Sequence, residues 1–218
     1  MTQQTSRRRF LKATAATGAL AGLNATVLAQ GQNEEVILLG GKVAGWQGYR
    51  LPGEATATGS ANPTLPLNAG TTYTLMWQNL DGIAHTFAIQ DAEGNNLKVL
   101  EPLSVQPDVF QQINETTENQ TVSLDISDGN VTGVTTGNQT GGNMTGGNAT
   151  GGQETTLESL VAVTQTVSEQ GAVQGVRFTA EEKMAQYICT IHPNTMVGDI
   201  TMETGGAAGN QTGNNSSM

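Results

Sequence analysis

Apolar positions along this chain fall into short runs with the period of strands. Glu35-Val36-Ile37-Leu38-Leu39 is a compact apolar run, which Gly40, Gly41 and Gly45 interrupt near Trp46. Residues 70–79 alternate polar and apolar side chains through Tyr73, Leu75 and Trp77, as a half-buried strand does. Asp81-Gly82 reads as a turn, and alternation resumes from His85 to Gln90. A second turn is expected over Asp91 to Asn96, and further strands over 121–126, 173–178, 185–188 and 198–202. Helical periodicity is weak throughout. The pattern predicts an all-β fold, an antiparallel β-sandwich.

Two stretches break this pattern. Gly137-Asn138-Gln139-Thr140-Gly141 recurs as Gly142-Asn143-Met144-Thr145-Gly146 and Gly147-Asn148-Ala149-Thr150-Gly151. Such repeats carry too little apolar surface to offset the entropy of ordering them. A disordered Gly/Asn/Thr-rich loop is therefore expected over about 129–153, and a disordered tail over 205–218. Ten Asn-x-Ser/Thr sequons are present, concentrated in these parts, and mark candidate glycan acceptors.

The N-terminus reads Ser6-Arg7-Arg8-Arg9-Phe10-Leu11-Lys12. It resembles a twin-arginine export signal, and the weakly apolar stretch after it is a poor bilayer span. Residues 1–29 are expected to be this signal peptide, with Gln30 as the mature start. The expected location is outside the cytoplasm, at the cell surface or secreted. Without Arg7, Arg8, Arg9 and Lys12, the nine basic residues fall to five against 19 acidic ones, a net charge of −14. A chain this acidic stays soluble at high salt, where its self-repulsion is screened, so a halophilic source fits. The same charge argues against nucleic-acid binding, which needs a basic patch.

Two histidines and one cysteine are the whole supply of strong metal donors of those kinds. That excludes a disulfide framework, a Cys-rich zinc site and an Fe–S centre within one chain. Room remains for one small site. Tyr187-Ile188-Cys189-Thr190-Ile191-His192-Pro193-Asn194-Thr195-Met196 offers a thiol, an imidazole and a thioether within eight residues. A thiolate with imidazole prefers a soft or borderline metal. The second imidazole is His85, at a strand end that a sandwich can bring to the Cys189 loop. An unligated cysteine outside the cytoplasm would be an oxidation liability, which favours the metal reading.

Asn79-Leu80-Asp81-Gly82-Ile83-Ala84-His85-Thr86-Phe87 and the 187–196 segment together resemble the cupredoxins, the type 1 (blue) copper proteins that include plastocyanins and halocyanins. The resemblance covers about Glu35 to Met202 without the Gly/Asn insertion, and it places a copper domain over 30–204. It implies a Greek-key β-sandwich that holds one copper ion, cycling between Cu(I) and Cu(II), on His85, Cys189, His192 and Met196. Three residues separate His192 from Met196, a gap shorter than in plastocyanin-like loops and longer than in amicyanin-like ones. This departure bears first on the axial contact of Met196.

The resemblance further implies a one-electron carrier rather than an enzyme. Thr86 would join the His85 strand to the Cys189 loop, and His192 would be the electron port. Ile83, Pro193 and Val197 would form an apolar docking patch around it, while Trp46, Trp77, Tyr73 and Phe87 belong to the core. Partners would be redox proteins, among them membrane respiratory components, and the chain would be a monomer with no small-molecule substrate. The competing reading is copper storage or delivery. Against it, the donor set is mixed and closed, and no methionine cluster is present. Copper nitrite reductases and multicopper oxidases need more histidines, and a binuclear copper centre needs a second cysteine.

Overall fold

The computed structural model describes residues 35–53, 61–116, 120–138 and 159–203. All of them belong to the unit Gln32–Met218. The expected signal peptide, the repeats beyond residue 138 and the tail lie outside the described residues. No helix among the described residues is long and apolar enough to cross a membrane.

Among the described residues, eleven strands and one helix follow in chain order: β1 (Glu35–Lys42), β2 (Gly45–Arg50), β3 (Leu65–Asn68), β4 (Thr72–Asn79), β5 (Ala88–Gln90), β6 (Glu101–Val105), α1 (Pro107–Asn114), β7 (Gln120–Ser127), β8 (Asn130–Asn138), β9 (Val173–Thr179), β10 (Gln186–Ile188) and β11 (Val197–Glu203). A seven-stranded sheet runs β2-β1-β4-β9-β6-β8-β7, and a four-stranded sheet runs β3-β11-β10-β5. The two-sheet β-sandwich expected from the sequence is present. Its pairing is mixed rather than wholly antiparallel, because β1–β4, β3–β11 and β6–β8 pair in parallel.

The unbroken apolar run of β1 has a physical reason. Ile37 and Leu39 enter the main core, with Leu75, Trp77, Phe87 and Tyr187. Val36 and Leu38 enter a second core on the opposite face of the large sheet, with Met76, Phe110, Ile113 and Val131. A strand buried on both faces loses its alternation. Gly40 and Gly41 continue β1 instead of ending it, pairing with Gln78 and Asn79 of β4. A Cβ at Gly40 would lie 2.6 Å from Leu80 and 2.8 Å from Tyr49, so close packing requires the glycine there.

Helix α1 and strands β2, β3, β6 and β8 escaped the periodicity reading. Helix α1 buries Val109, Phe110 and Ile113, a face too short to show a sustained 3.6-residue period. It opens on Pro107, which is suited to a first helical turn. Strand β3 is only four residues long, and β6 carries Pro102. Residues 130–138, expected to belong to the low-complexity loop, instead form β8 and pair with β7. Val131 and Val134 give that segment its apolar contacts with the second core.

Candidate metal centre

Two connections at one end of the sandwich carry the candidate donors. After β4, Asn79 organises the first. Its side-chain oxygen accepts the N–H groups of Asp81 and Gly82, at 3.2 and 2.8 Å. Its side-chain N–H group donates to the carbonyls of Ile83 and Val167, at 2.8 and 3.0 Å. Gly82 sits at φ 72°, a left-handed conformation that suits glycine. His85 then forms an isolated antiparallel bridge with Val167, and the N–H of Phe87 donates to Thr164 Oγ1. These side bonds from the 159–172 segment explain why the expected strand over 85–90 shortens to β5.

The second connection joins β10 to β11. The N–H of Cys189 donates to the Met196 carbonyl at 2.9 Å, and the N–H groups of Thr195 and Met196 both donate to the His192 carbonyl. Trp46 Nε1 also donates to the Met196 carbonyl, at 3.2 Å, and the Asn62 side chain donates to the Thr195 carbonyl at 2.8 Å. The loop is therefore closed on itself and tied to β2 and its neighbour. A Cβ at Gly198 would overlap the ring of Tyr187, whose hydroxyl donates to the Pro63 carbonyl.

These two connections bring three of the four sequence-derived donors together. One donor atom from each of His85, Cys189 and His192 lies within 4.8 Å of the others. Cys189 Sγ is 3.9 Å from His85 Nδ1 and 3.7 Å from His192 Nδ1. Cys189, His85 and Met196 are fully buried, whereas His192 is partly exposed. Met196 folds inward from the same loop, its methyl group facing Gly41.

The donor set fits a metal ion. At zinc-like bond lengths, about 2.3 Å to thiolate sulfur and about 2.0 Å to imidazole nitrogen, two donors about 120° apart stand roughly 3.7 Å from each other. The observed sulfur–nitrogen separations match that spacing. Two imidazoles and one thiolate are three donors of the blue-copper ligand type, whose fourth is a weak axial thioether. One copper ion is the metal this set suits.

The surroundings hold the donors from behind. The N–H of Thr86 points at Cys189 Sγ from 3.4 Å. Thr86 Oγ1 accepts the Thr190 N–H at 3.1 Å and pairs with the Thr190 hydroxyl at 2.8 Å. Thr86 thus links the two connections as the resemblance implied, through its side chain as well as its backbone. Trp46, Trp77, Tyr73 and Phe87 are core residues, as expected. Of the suggested apolar patch, Ile83 is 47% exposed, Pro193 is exposed and Val197 is half-buried. Ile191, next to His192 in the chain and 43% exposed, was not among the expected residues.

Asp81 was also missed. Its Oδ1 lies 2.8 Å from His85 Nε2. Burial pulls its carboxyl pKa upward, but hydrogen bonds from the Val43 N–H, His85 and the Ile83 N–H outweigh it, and the net shift is downward. In the sequence an Asp-Gly pair signals only a turn.

No family model matches the chain, and no curated protein matches it. Among solved structures it is similar to auracyanin A, a "blue" copper protein from Chloroflexus aurantiacus, at 15% identity over 77% of this chain and 98% of that one, with a TM-score of 0.34. It is also similar to auracyanin B, at 13% identity over 78% and 88% of the two chains, TM-score 0.33. Rusticyanin from Thiobacillus ferrooxidans matches at 15% identity over 78% of each chain, TM-score 0.32. The case for the site rests on the donor atoms themselves.

Proposed function

We propose that this chain is a type 1 copper protein that carries single electrons between redox partners. The observation that carries the proposal is the meeting of Cys189 Sγ with the Nδ1 atoms of His85 and His192 at the buried end of the sandwich. His85, Cys189 and His192 would hold the ion, with Met196 as the axial fourth donor. Copper bound there supplies a Cu(I)/Cu(II) couple.

The chain's own residues suit that task. Cys189, His85 and Met196 are sealed from water. The Thr86 N–H aimed at the sulfur favours negative charge on Cys189. Hydrogen bonds on both connections hold the donors in place, so a change in charge at the site needs little rearrangement of the protein. His192 is the one nitrogen donor with an exposed edge, which makes it the electron port. Ile83, Ile191 and Pro193 lie exposed on the same two connections and offer an apolar rim for brief docking. With four protein donors the centre has no position for a substrate, so the role is transfer and not catalysis.

The wider setting follows from the sequence. Export by the twin-arginine route would place the protein outside the cytoplasm, at the cell surface or secreted, with glycans on some sequons. The acidic surface favours partners with basic docking faces, among them membrane respiratory proteins, and an acidic monomer suits a saline environment. Copper-loaded protein cycled with a mild reductant and oxidant tests the function. Reversible one-electron cycling, with copper kept against a competing chelator, is the expected result. Ready loss of copper to the chelator, without reversible cycling, would favour storage or delivery instead.

A further inference from the structure

We infer that Asp81 is a positioning residue for His85: its carboxylate fixes which ring nitrogen faces the metal centre and adds negative charge behind that ring. The ring of His85 is fully buried. Its two nitrogens face different chemistry, with Nε2 lying 2.8 Å from Asp81 Oδ1 and Nδ1 lying 3.9 Å from Cys189 Sγ. A carboxylate only accepts hydrogen bonds, so the neutral ring must carry its proton on Nε2. The Nδ1 lone pair is then left facing the sulfur, as metal binding requires.

The carboxylate is itself held. Oδ1 also accepts the Ile83 N–H at 3.0 Å, and Oδ2 accepts the Val43 N–H at 2.7 Å, from the turn between β1 and β2. Asn79 anchors the backbone beneath it through the N–H groups of Asp81 and Gly82. Asp81 therefore couples the orientation of the His85 ring to the β1–β2 turn and the end of β4. A backbone carbonyl would set the same tautomer, but a carboxylate adds a full charge whose side chain is only 27% exposed. That charge makes the imidazole a stronger donor and favours the more highly charged state of a bound ion. This second part rests on the copper reading above.

The test has one arm without metal and one with it. In the ¹⁵N-labelled, metal-free chain at mildly alkaline pH, nitrogen NMR should find His85 as the Nε2–H tautomer. Asp81→Ala should give a mixture of tautomers. Asp81→Asn should keep the Nε2–H form, because its amide oxygen still accepts. In the copper-loaded chain, Asp81→Asn should weaken the preference for Cu(II) over Cu(I) about tenfold, a rise of about 59 mV for a one-electron couple. Asp91→Asn removes the same charge from a turn beyond the other end of β5, where Asp91 binds Asn95, and it should shift the potential far less. An Nδ1–H tautomer in the unaltered chain, or an unchanged tautomer in Asp81→Ala, would overturn the positioning role. Equal shifts from the two Asn variants would overturn the charge effect. Should Asp81→Ala not fold, the tautomers of the unaltered chain and of Asp81→Asn decide. Tautomers that respond as stated in a chain that takes up no copper would support the positioning role and sink the electron-carrier reading.

Discussion

The backbone N–H of Thr86 lies 3.4 Å from the sulfur of Cys189, 103 residues further along the chain. One residue thus contacts the thiol with its backbone and clamps the thiol's loop with its hydroxyl, which accepts the Thr190 N–H. Thr86→Val keeps the shape and the backbone donor but removes the hydroxyl. It leaves the Thr190 N–H without that acceptor, and the expected cost is about 1–2 kcal/mol in the metal-free chain. Urea denaturation measures it, and an unchanged midpoint would show that the clamp is idle.

Gly198 has no room for a side chain, because its Cβ would overlap the Tyr187 ring. Tyr187 precedes the thiol by two residues and is fully buried. Gly198→Ala should therefore destabilise the fold by about 1–3 kcal/mol and disturb the register of β10 on β11. Thermal unfolding measures the loss. Tyr187→Phe, which loses only the hydrogen bond to the Pro63 carbonyl, should cost about 1 kcal/mol.

Met196→Leu separates packing from ligation. The swap nearly conserves volume at a buried position, so stability should fall by less than about 1.5 kcal/mol. As the axial donor, Met196 would tune the centre without being needed to retain copper. The variant should bind copper with an altered spectrum and potential. An identical spectrum would remove Met196 from the donor set.

Glu35 opens β1, and burial together with the carboxylate of Glu203 raises its pKa above 4.5. A raised carboxyl binds its proton more tightly in the folded chain. It therefore favours folding at low pH and costs stability as pH rises from 4.5 through the folded-state value. Glu35→Gln should stabilise the chain above that window, by less than about 1 kcal/mol because solvent screens the site. Melting temperatures on both sides of the window test this, and a loss at neutral pH would contradict it.

The meeting of His85, Cys189 and His192 was legible because such residues are scarce: two histidines and one cysteine could form only one cluster. The strands with one solvent face, or with strong alternation, were legible too. Asp81 was hidden because its role depends on a ring four residues away turning back onto it, and Asp-Gly is a common turn pair. Helix α1 was hidden because it presents only Val109, Phe110 and Ile113 to the second core. Strand β8 was hidden by Gly, Asn and Thr, since its stability comes from pairing with β7 rather than from its own composition. Gly40 and Gly41 read as a break, but they are the places where the side chains of Leu80, Tyr49 and Trp46 pack closely over β1.

The central claim is that Cys189 binds copper as a thiolate beside two imidazoles. The direct measurement is the visible spectrum of the chain titrated with Cu(II), beside a Cys189→Ser variant shown to be folded. An intense thiolate-to-copper band that saturates at one ion per chain, bleaches on reduction and is missing from the variant is the expected result. A folded chain that takes up Cu(II) with no such band, or with the same band in the variant, would contradict the account.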